Sequence, residues 1–150
     1  MGNFVKDLAS SKKGEQLVVK YFEQELSGKL IEINNTNAWD LKFEVQNVGN
    51  IFTVEVKTDF FPRIANMAIE VACRGKPSGL MTSKATFYSY VFYSLREVWT
   101  IPTDELKDIM DLAHQVSIGG DKGSNTVVFL LDREKVREHF NIVTFEKESL

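Results

Sequence analysis

The chain has little of what several classes of protein require. A single cysteine, Cys73, occurs among 150 residues, so an internal disulfide framework is excluded and a reducing, cytoplasmic compartment is favoured. With only two histidines beside that cysteine, a zinc site built from Cys and His ligands is not expected. No apolar run approaches the length of a membrane span, and the N-terminal residues lack the apolar core of a signal peptide. We therefore expect a soluble intracellular protein with no membrane partner.

An excess of positive charge is also lacking, because the net charge is −3. Its distribution is uneven: residues 1–90 carry 11 Lys or Arg against 10 acidic residues, whereas residues 91–150 carry 7 against 11. If acidic residues of the first part bind a metal ion, the charge that remains there is positive and suits the phosphates of a nucleic acid. The composition therefore permits a nucleic-acid partner without requiring one.

The stretch from Trp39 to Asp59 predicts a β-hairpin. Apolar and polar residues alternate on both sides of a Gly-Asn turn signal at 49–50, which is the pattern of two half-buried strands. Asp40 in the first strand and Glu55 and Lys57 in the second share the polar face. Two carboxylates beside an ammonium group can bind a divalent metal ion and control a water molecule. The same alternation also fits a solvated sheet face, so the hairpin alone leaves both interpretations open.

The remaining pattern predicts a mixed α/β (α+β) fold in one domain over residues 1–150, which is long enough to bury a sizeable core. After a polar lead-in over 1–13, the core elements are helix 14–26, strand 30–33, hairpin 39–59, strand 67–74, helix 84–95 and strand 97–101. A turn over 34–37 and a loop over 58–63 separate the strands. The extension over 102–150 adds helix 102–115, loop 117–125, strand 126–131 and helix 132–140.

A basic loop with two glycines leads into the helix predicted at 84–95. Its polar side chains are Arg74, Lys76, Ser78 and Lys84. A glycine-rich basic loop that feeds a helix N-terminus suits the phosphate backbone of a nucleic acid, so we predict contacts there. The helix itself is rich in aromatic residues that we expect to fill the core instead of stacking on bases, namely Phe87, Tyr88, Tyr90, Phe92 and Tyr93.

The order of these elements and acidic residues resembles the PD-(D/E)XK nuclease superfamily. Asp40 precedes Glu55-Val56-Lys57, and Gly14-Glu15 opens the first helix, as in many members. The segments 78–80 (Ser-Gly-Leu) and 82–85 (Thr-Ser-Lys-Ala) are similar to small phage-type and Holliday-junction-resolvase-like members. One departure is Trp39, where the family often has proline. The resemblance covers about residues 14–101 and implies a restriction-endonuclease-like αβββαβ core, a central mixed sheet flanked by helices, with a helix–strand–helix extension.

The resemblance further implies a Mg²⁺-dependent endonuclease that hydrolyses phosphodiester bonds of DNA, with Mn²⁺ able to substitute. Asp40, Glu55 and the backbone carbonyl of Val56 would hold the metal. Lys57 would orient or deprotonate a water molecule or offset charge, and Glu15 would hold a metal-bound water or a second metal. Domains of this size often cut two strands as a symmetric dimer, so a homodimer is expected. Junctions, flaps, ends and plain duplex all remain open as substrates.

Several alternatives stay open on the sequence alone. Glu15 is either a site acid or a first-turn glutamate stabilised by the helix dipole. Glu70 is either a further site acid or the ion-pair partner of Arg74. The protein is either a DNA nuclease, an RNA nuclease, or a catalytically inactive nucleic-acid-binding or assembly module of the same fold.

Overall fold

Two β-sheets contain most of the regular secondary structure, and one long helix covers the larger of them. The computed structural model describes residues 2–34, 39–59, 66–120 and 123–146, with side chains described from residue 12 onward. The helices are α1 (Gly2–Glu25), α2 (Thr103–Asp108) and α3 (Arg133–Val136). The strands are β1 (Gly28–Ile33), β2 (Leu41–Val45), β3 (Ile51–Asp59), β4 (Asn66–Cys73), β5 (Lys76–Pro77), β6 (Phe87–Phe92), β7 (Glu97–Pro102), β8 (Gln115–Gly119), β9 (Thr126–Asp132) and β10 (Asn141–Thr144). Short 3-10 turns lie at Gly79–Met81, Tyr93–Leu95, Ile109–Leu112 and Arg137–His139.

The predicted hairpin is present as β2 and β3. The two strands are antiparallel, with Leu41 opposite Val54. Their connection is longer than a two-residue turn: the Val45 N–H donates to the Asn50 carbonyl at 2.8 Å, and Gly49 between them has a φ of +82°. Glycine adopts this left-handed conformation without steric cost. The Gly-Asn pair at 49–50 therefore predicted the turn correctly.

The larger sheet is mixed, with strand order β1-β2-β3-β6-β7-β10. Neighbouring strands are antiparallel except β3 and β6, which run parallel. A parallel pair cannot be joined by a tight turn and needs a crossover connection. Here β4 and β5 belong to that crossover and form part of the second sheet. The architecture is thus a mixed α+β fold built around a mixed sheet.

Helix α1 covers one face of the larger sheet and packs against β1, β3 and β6. Its apolar stripe, spaced for one helical face, meets the apolar phase of the hairpin. The buried members of this core are Leu17, Val18, Tyr21, Phe22, Leu41, Phe43, Val54, Val91 and Val98. The hairpin alternation is therefore explained by burial under α1, which leaves the opposite phase of β2 and β3 for polar residues.

The second sheet, with strand order β5-β4-β9-β8, covers the other face of β6 and β7 together with α2. The buried members of this second core are Met67, Ile69, Leu80, Tyr88, Tyr90, Phe92, Trp99, Ile101, Leu106, Ile109, Met110, Leu131, Val136 and Phe140. Because both faces of β6 and β7 are covered, both phases of these strands are apolar.

The helix predicted at 84–95 is wrong, because Phe87–Phe92 forms strand β6 and a 3-10 turn follows it. The aromatic residues that suggested a helix apolar all round instead point alternately to the two cores: Tyr88 and Tyr90 to one, Phe87 and Val91 to the other. A strand buried on both faces and a fully buried helix give the same unbroken apolar composition. The prediction of a sheet flanked by helices is corrected accordingly, since a second sheet takes the place of the second helix.

The extension also differs from the predicted helix–strand–helix order. The helix predicted over 102–115 ends earlier, as α2 and a 3-10 turn that stops at Leu112, and the predicted loop over 117–125 contains part of strand β8. Strand β9 and the cap of α3 agree with the prediction: the Asp132 carboxylate accepts the Glu134 N–H at 3.0 Å. Strand β10, which pairs with β7, was not predicted, because four residues are too few to show a period.

Two smaller differences concern the N-terminal half. Helix α1 begins at Gly2 and not near Gly14, so the predicted polar lead-in is helical. The predicted turn and loop before and after the hairpin fall mostly on 35–38 and 60–65, outside the described residues, although Thr58 and Asp59 belong to β3. Among the described residues, no helix has the length and apolar character needed to cross a membrane.

Candidate active site

Asp40 lies in a bend directly before β2 and bonds to β3 through both its backbone and its side chain. Its N–H donates to the Val54 carbonyl at 3.0 Å, and its Oδ2 accepts the Val56 N–H at 2.8 Å. The charge of Asp40 also raises the pKa of Glu55 on β3, so the two carboxylates are close enough to interact. The end of the hairpin therefore holds the two carboxylates side by side.

Glu55 and Lys57 point to the face of the sheet opposite α1, beside Tyr88 and Tyr90, which are their partners on β6. The Lys57 Nζ lies 3.4 Å from the Glu55 Oε1, and the Glu55 side chain is only 14% exposed. The second oxygen, Glu55 Oε2, is buried and accepts no hydrogen bond from the described residues. Burying a carboxylate oxygen without a partner costs free energy. A bound proton or a cation beside Glu55 Oε2 would offset this cost.

Glu15 approaches the two carboxylates from α1. The residue before it, Gly14, is buried against β3, where an added Cβ would overlap the Thr58 hydroxyl. Glycine at this position lets the helix backbone approach the sheet closely, which brings the first charged residue after it toward the end of the hairpin. We call Glu15, Asp40, Glu55 and Lys57 together the carboxylate cluster.

The electrostatics of the carboxylate cluster show that its acids act on one another. Burial, and then the charges of Asp40 and Glu15, raise the pKa of Glu55 to about 7 against the lowering effect of Lys57. Burial and then the charge of Asp40 raise the pKa of Glu15, while Lys12 lowers it. Burial raises the pKa of Asp40, opposed by the Val56 N–H and by Lys57. The cluster contains three carboxyl groups and a single ammonium group, so an added positive charge would lower the raised pKa values.

Tyr88 was assigned to the core by sequence, yet its hydroxyl borders the carboxylate cluster. Burial raises its pKa to about 12, a hydrogen bond with Ser83 lowers it, and the charges of Glu55, Asp40 and Glu70 raise it. The signal that could have identified it is the two-residue period of β6, which sets Tyr88 in register with Glu55. Because the segment 84–95 was predicted as a helix, the pairing of Tyr88 with Glu55 was not predicted.

Glu70 lies on β4, at the side of the cluster formed by the second sheet. Its Oε2 accepts the Ser78 hydroxyl at 2.9 Å, and Gly79, with a φ of +53°, packs directly on the Glu70 backbone, where an added Cβ would clash. Among the described residues, Glu70 and Arg74 form no ion pair. The charge of Glu70 reaches Tyr88, so Glu70 stands near the site and the ion-pair alternative is not realised.

The cations predicted to contact phosphates are all exposed. Arg74 and Lys76 lie at the β4–β5 turn, on one edge of the second sheet. Lys84 lies just before β6, where its carbonyl accepts the Thr53 hydroxyl at 3.5 Å. The part of the prediction that relied on a helix N-terminus is wrong, since no helix begins there, and the Ser83 hydroxyl accepts the Ala85 N–H instead.

The fit of a divalent metal depends on oxygen donors. Across the described residues, no group of three or more His, Cys, Asp or Glu side chains is arranged to hold a metal ion. Mg²⁺ does not require such a group, because it retains several waters and is commonly bound by one or two carboxylates. Glu55 is a carboxylate of that kind, because its buried Oε2 has no hydrogen-bond partner among the described residues. Comparisons with models of protein families, with curated proteins and with solved structures found no match to the chain, so the proposal of a function depends on this cluster.

Proposed function

We propose that the protein is a metal-dependent nuclease that hydrolyses phosphodiester bonds of DNA. The observation that carries the proposal is the buried Glu55 Oε2, which has no hydrogen-bond partner among the described residues and belongs to a carboxyl group whose pKa is raised by burial and by the charges of Asp40 and Glu15. A solvated sheet face would leave such carboxylates exposed and hydrated, with nothing gained from crowding them. Crowded, desolvated carboxylates are a common property of functional sites.

Two carboxylates of the cluster, Asp40 and Glu55, and the adjacent Val56 carbonyl are oxygen donors of the kind that suits Mg²⁺ or Mn²⁺. The N–H and carbonyl of one strand residue point to the same side of the strand, so the Val56 carbonyl is directed toward the side where its N–H meets Asp40. A divalent ion held there would polarise a phosphate and lower the pKa of a bound water. The rest of the chemistry is assigned to side chains of the chain itself.

Lys57 fits a role at the reacting phosphate because its side chain is 48% exposed while its ammonium group stays 3.4 Å from Glu55. Such a group can hold a water molecule or offset negative charge that develops on the phosphate. We assign to Glu15, whose pKa is raised by burial and by the charge of Asp40, the role of holding a further water from the α1 side. Arg74, Lys76 and Lys84, all exposed, are the candidates for contacts with the DNA backbone.

The test combines calorimetry with a cleavage assay. We expect Mg²⁺ and Mn²⁺ to bind the wild-type protein at pH 8 and to support cleavage of at least one of linear, nicked, branched and single-stranded DNA. RNA substrates distinguish an RNA nuclease. If neither ion binds and nothing is cleaved, the protein is not a nuclease, and retained DNA affinity would then identify a non-catalytic binding module.

A further inference from the structure

One edge of the second sheet has the character of an interface. Strand β8 is the last strand of that sheet and pairs only with β9 among the described residues. Its sequence, Gln-Val-Ser-Ile-Gly, contains no charged residue and no proline. Its two aliphatic side chains are largely exposed, Val116 by 53% and Ile118 by 68%. An edge strand without charge, proline or cover is a template for pairing with another strand.

The other sheet edges in the described chain are protected in the usual ways. β5 is two residues long and consists of Lys76 and Pro77. β1 carries Lys29 and Glu32, and its register shifts at Ile31. On β10 the aliphatic residues are partly buried and packed against the cores. β8 differs from all three, so its exposed character is a specific feature of this edge.

The apolar surface of β8 continues a row that starts in the core. Ile69 on β4, Phe129 on β9 and Val116 on β8 are consecutive cross-strand partners, so they share one face of the sheet. Ile69 is 1% exposed, Phe129 is partly buried against the same core, and Val116 is 53% exposed. The row of apolar side chains ends at Val116, at the edge of the sheet. One more strand paired with β8 would cover Val116 from the side that is now exposed.

A second copy of β8 has the right pattern to be that strand. Two antiparallel copies related by a two-fold axis through Ser117 place Val116 opposite Ile118 of the partner subunit and Ile118 opposite Val116 of the partner subunit. Directly opposed side chains on one face are in contact distance, so four aliphatic side chains would meet. Shifting the axis to Val116 or Ile118 leaves one aliphatic residue of each copy without an apolar partner. No charge is repelled, since none is present in the strand.

We propose that the protein self-associates through β8, as a two-fold dimer in which the two second sheets join into one. The proposal stands independently of the nuclease assignment. The strand is short, and the area buried is below that of a standard stable interface. The dimer should therefore be weak and dependent on concentration.

Sedimentation velocity over a wide concentration range tests the proposal. We expect wild-type protein to pass from monomer to dimer as its concentration rises, and Ile118→Lys to remain a monomer. Ile33→Lys is the matched control, because Ile33 is 60% exposed on another edge strand, and it should dimerise as the wild type does. A monomer at every concentration, equal dimerisation by Ile118→Lys, or growth to larger oligomers would each overturn the proposal.

A cross-link provides a second readout that does not depend on Ile118→Lys folding normally. In a Cys73→Ser background, Ser117→Cys places two thiols opposite one another across the two-fold axis, within the Cα separation that a disulfide spans. Mild oxidation should give a covalent dimer much faster than it does for Ser94→Cys, an exposed position away from β8. Equal rates for the two variants would contradict the pairing.

Discussion

Asp40 performs two tasks with one side chain. Its Oδ2 accepts the Val56 N–H at 2.8 Å and so joins the start of β2 to β3, while its negative charge contributes to the carboxylate cluster. The two tasks are separable, because asparagine keeps an acceptor oxygen of the same shape and removes only the charge. The residue thus allows the fold and the chemistry to be tested apart.

We predict that Asp40→Asn lowers the cleavage rate at least ~100-fold and weakens Mg²⁺ binding, while the melting temperature changes little. DNA affinity should persist or increase, because a negative charge beside the phosphate path is lost. Glu44→Gln, the same change of charge on the same hairpin, should leave cleavage unaltered. Cleavage by Asp40→Asn at the wild-type rate would remove Asp40 from the site and refute the nuclease assignment.

Glu55 makes stability depend on pH in a direction opposite to that of an acid whose pKa is lowered by folding. Its folded-state pKa of about 7 lies above the ordinary value of 4.5, so between these pH values the folded protein keeps a proton that the unfolded chain releases. The contribution of Glu55 to stability is therefore greatest below about pH 4.5 and falls as pH rises toward 7. The raised pKa values of Glu15 and Asp40 act in the same direction.

We predict that the metal-free protein loses ~1–3 kcal/mol of unfolding free energy between pH 5 and pH 8 through Glu55. Glu55→Gln should show a smaller loss over the same interval, since it has no proton to release there. Mg²⁺ should stabilise the wild type at pH 8 more than at pH 5 and have little effect on Glu55→Gln. Urea unfolding at both pH values, with and without Mg²⁺, measures this, and identical pH profiles for the two proteins would contradict it.

At the scale of elements, the contact between α1 and β3 sets the distance from Glu15 to the hairpin. Gly14 is the point of closest approach, because a Cβ there would overlap the Thr58 hydroxyl. In an unobstructed helix, alanine is more favourable than glycine by about 1 kcal/mol. The sign of the Gly14→Ala effect therefore reports whether this close contact exists.

We predict that Gly14→Ala destabilises the protein by ~1–3 kcal/mol, as overpacking does, and reduces cleavage by moving Glu15. Thr58→Ala removes the hydroxyl that is overlapped, so the double variant Gly14→Ala/Thr58→Ala should recover much of the lost stability. Thermal unfolding of the wild type, the two single variants and the double variant completes a double-mutant cycle. If Gly14→Ala is stabilising, α1 does not approach β3 as closely as described.

At the scale of the whole molecule, α1 covers one face of the larger sheet, and Glu55 and Lys57 open on the other. The exposed cations Arg74, Lys76 and Lys84 belong to the second sheet and to the segment before β6. Lys20, which is also exposed, lies on α1 and belongs to the opposite layer. If a nucleic acid approaches Glu55 from the side of the second sheet, we expect it to contact the first group of cations and not Lys20.

We predict that Lys76→Ala weakens DNA binding similarly for all sequences and reduces the slope of log affinity against log salt by about one unit. Mg²⁺ affinity should be unchanged, because Lys76 is not part of the carboxylate cluster. Lys20→Ala is the matched control and should leave both the affinity and the slope as in the wild type. Fluorescence anisotropy over a salt series measures both, and equal effects of the two substitutions would show that DNA does not follow the second sheet.

Short-range patterns accounted for much of what could be predicted. The alternation in the hairpin, the left-handed Gly49, and the cap at Asp132 depend on neighbours a few residues away, so each could be read from the sequence. The shared polar phase of Glu55 and Lys57 could be read in the same manner, because a strand alternates its side chains with a period of two. Asp40 was predicted within the first strand but lies in the bend before β2, and it reaches β3 through its hydrogen bonds with Val54 and Val56.

Only the tertiary structure decided what covers each face. The segment 87–92 is apolar on both phases, and whether such a segment becomes a helix or a strand depends on layers contributed by residues far away in the chain. The position of Tyr88 beside Glu55, the pKa of Glu55 near 7 and the exposed edge at β8 follow from the same long-range packing. Sequence by itself thus determined which residues share a strand face. Packing determined which faces are dry, because desolvation depends on everything that surrounds a side chain and not on its neighbours along the chain.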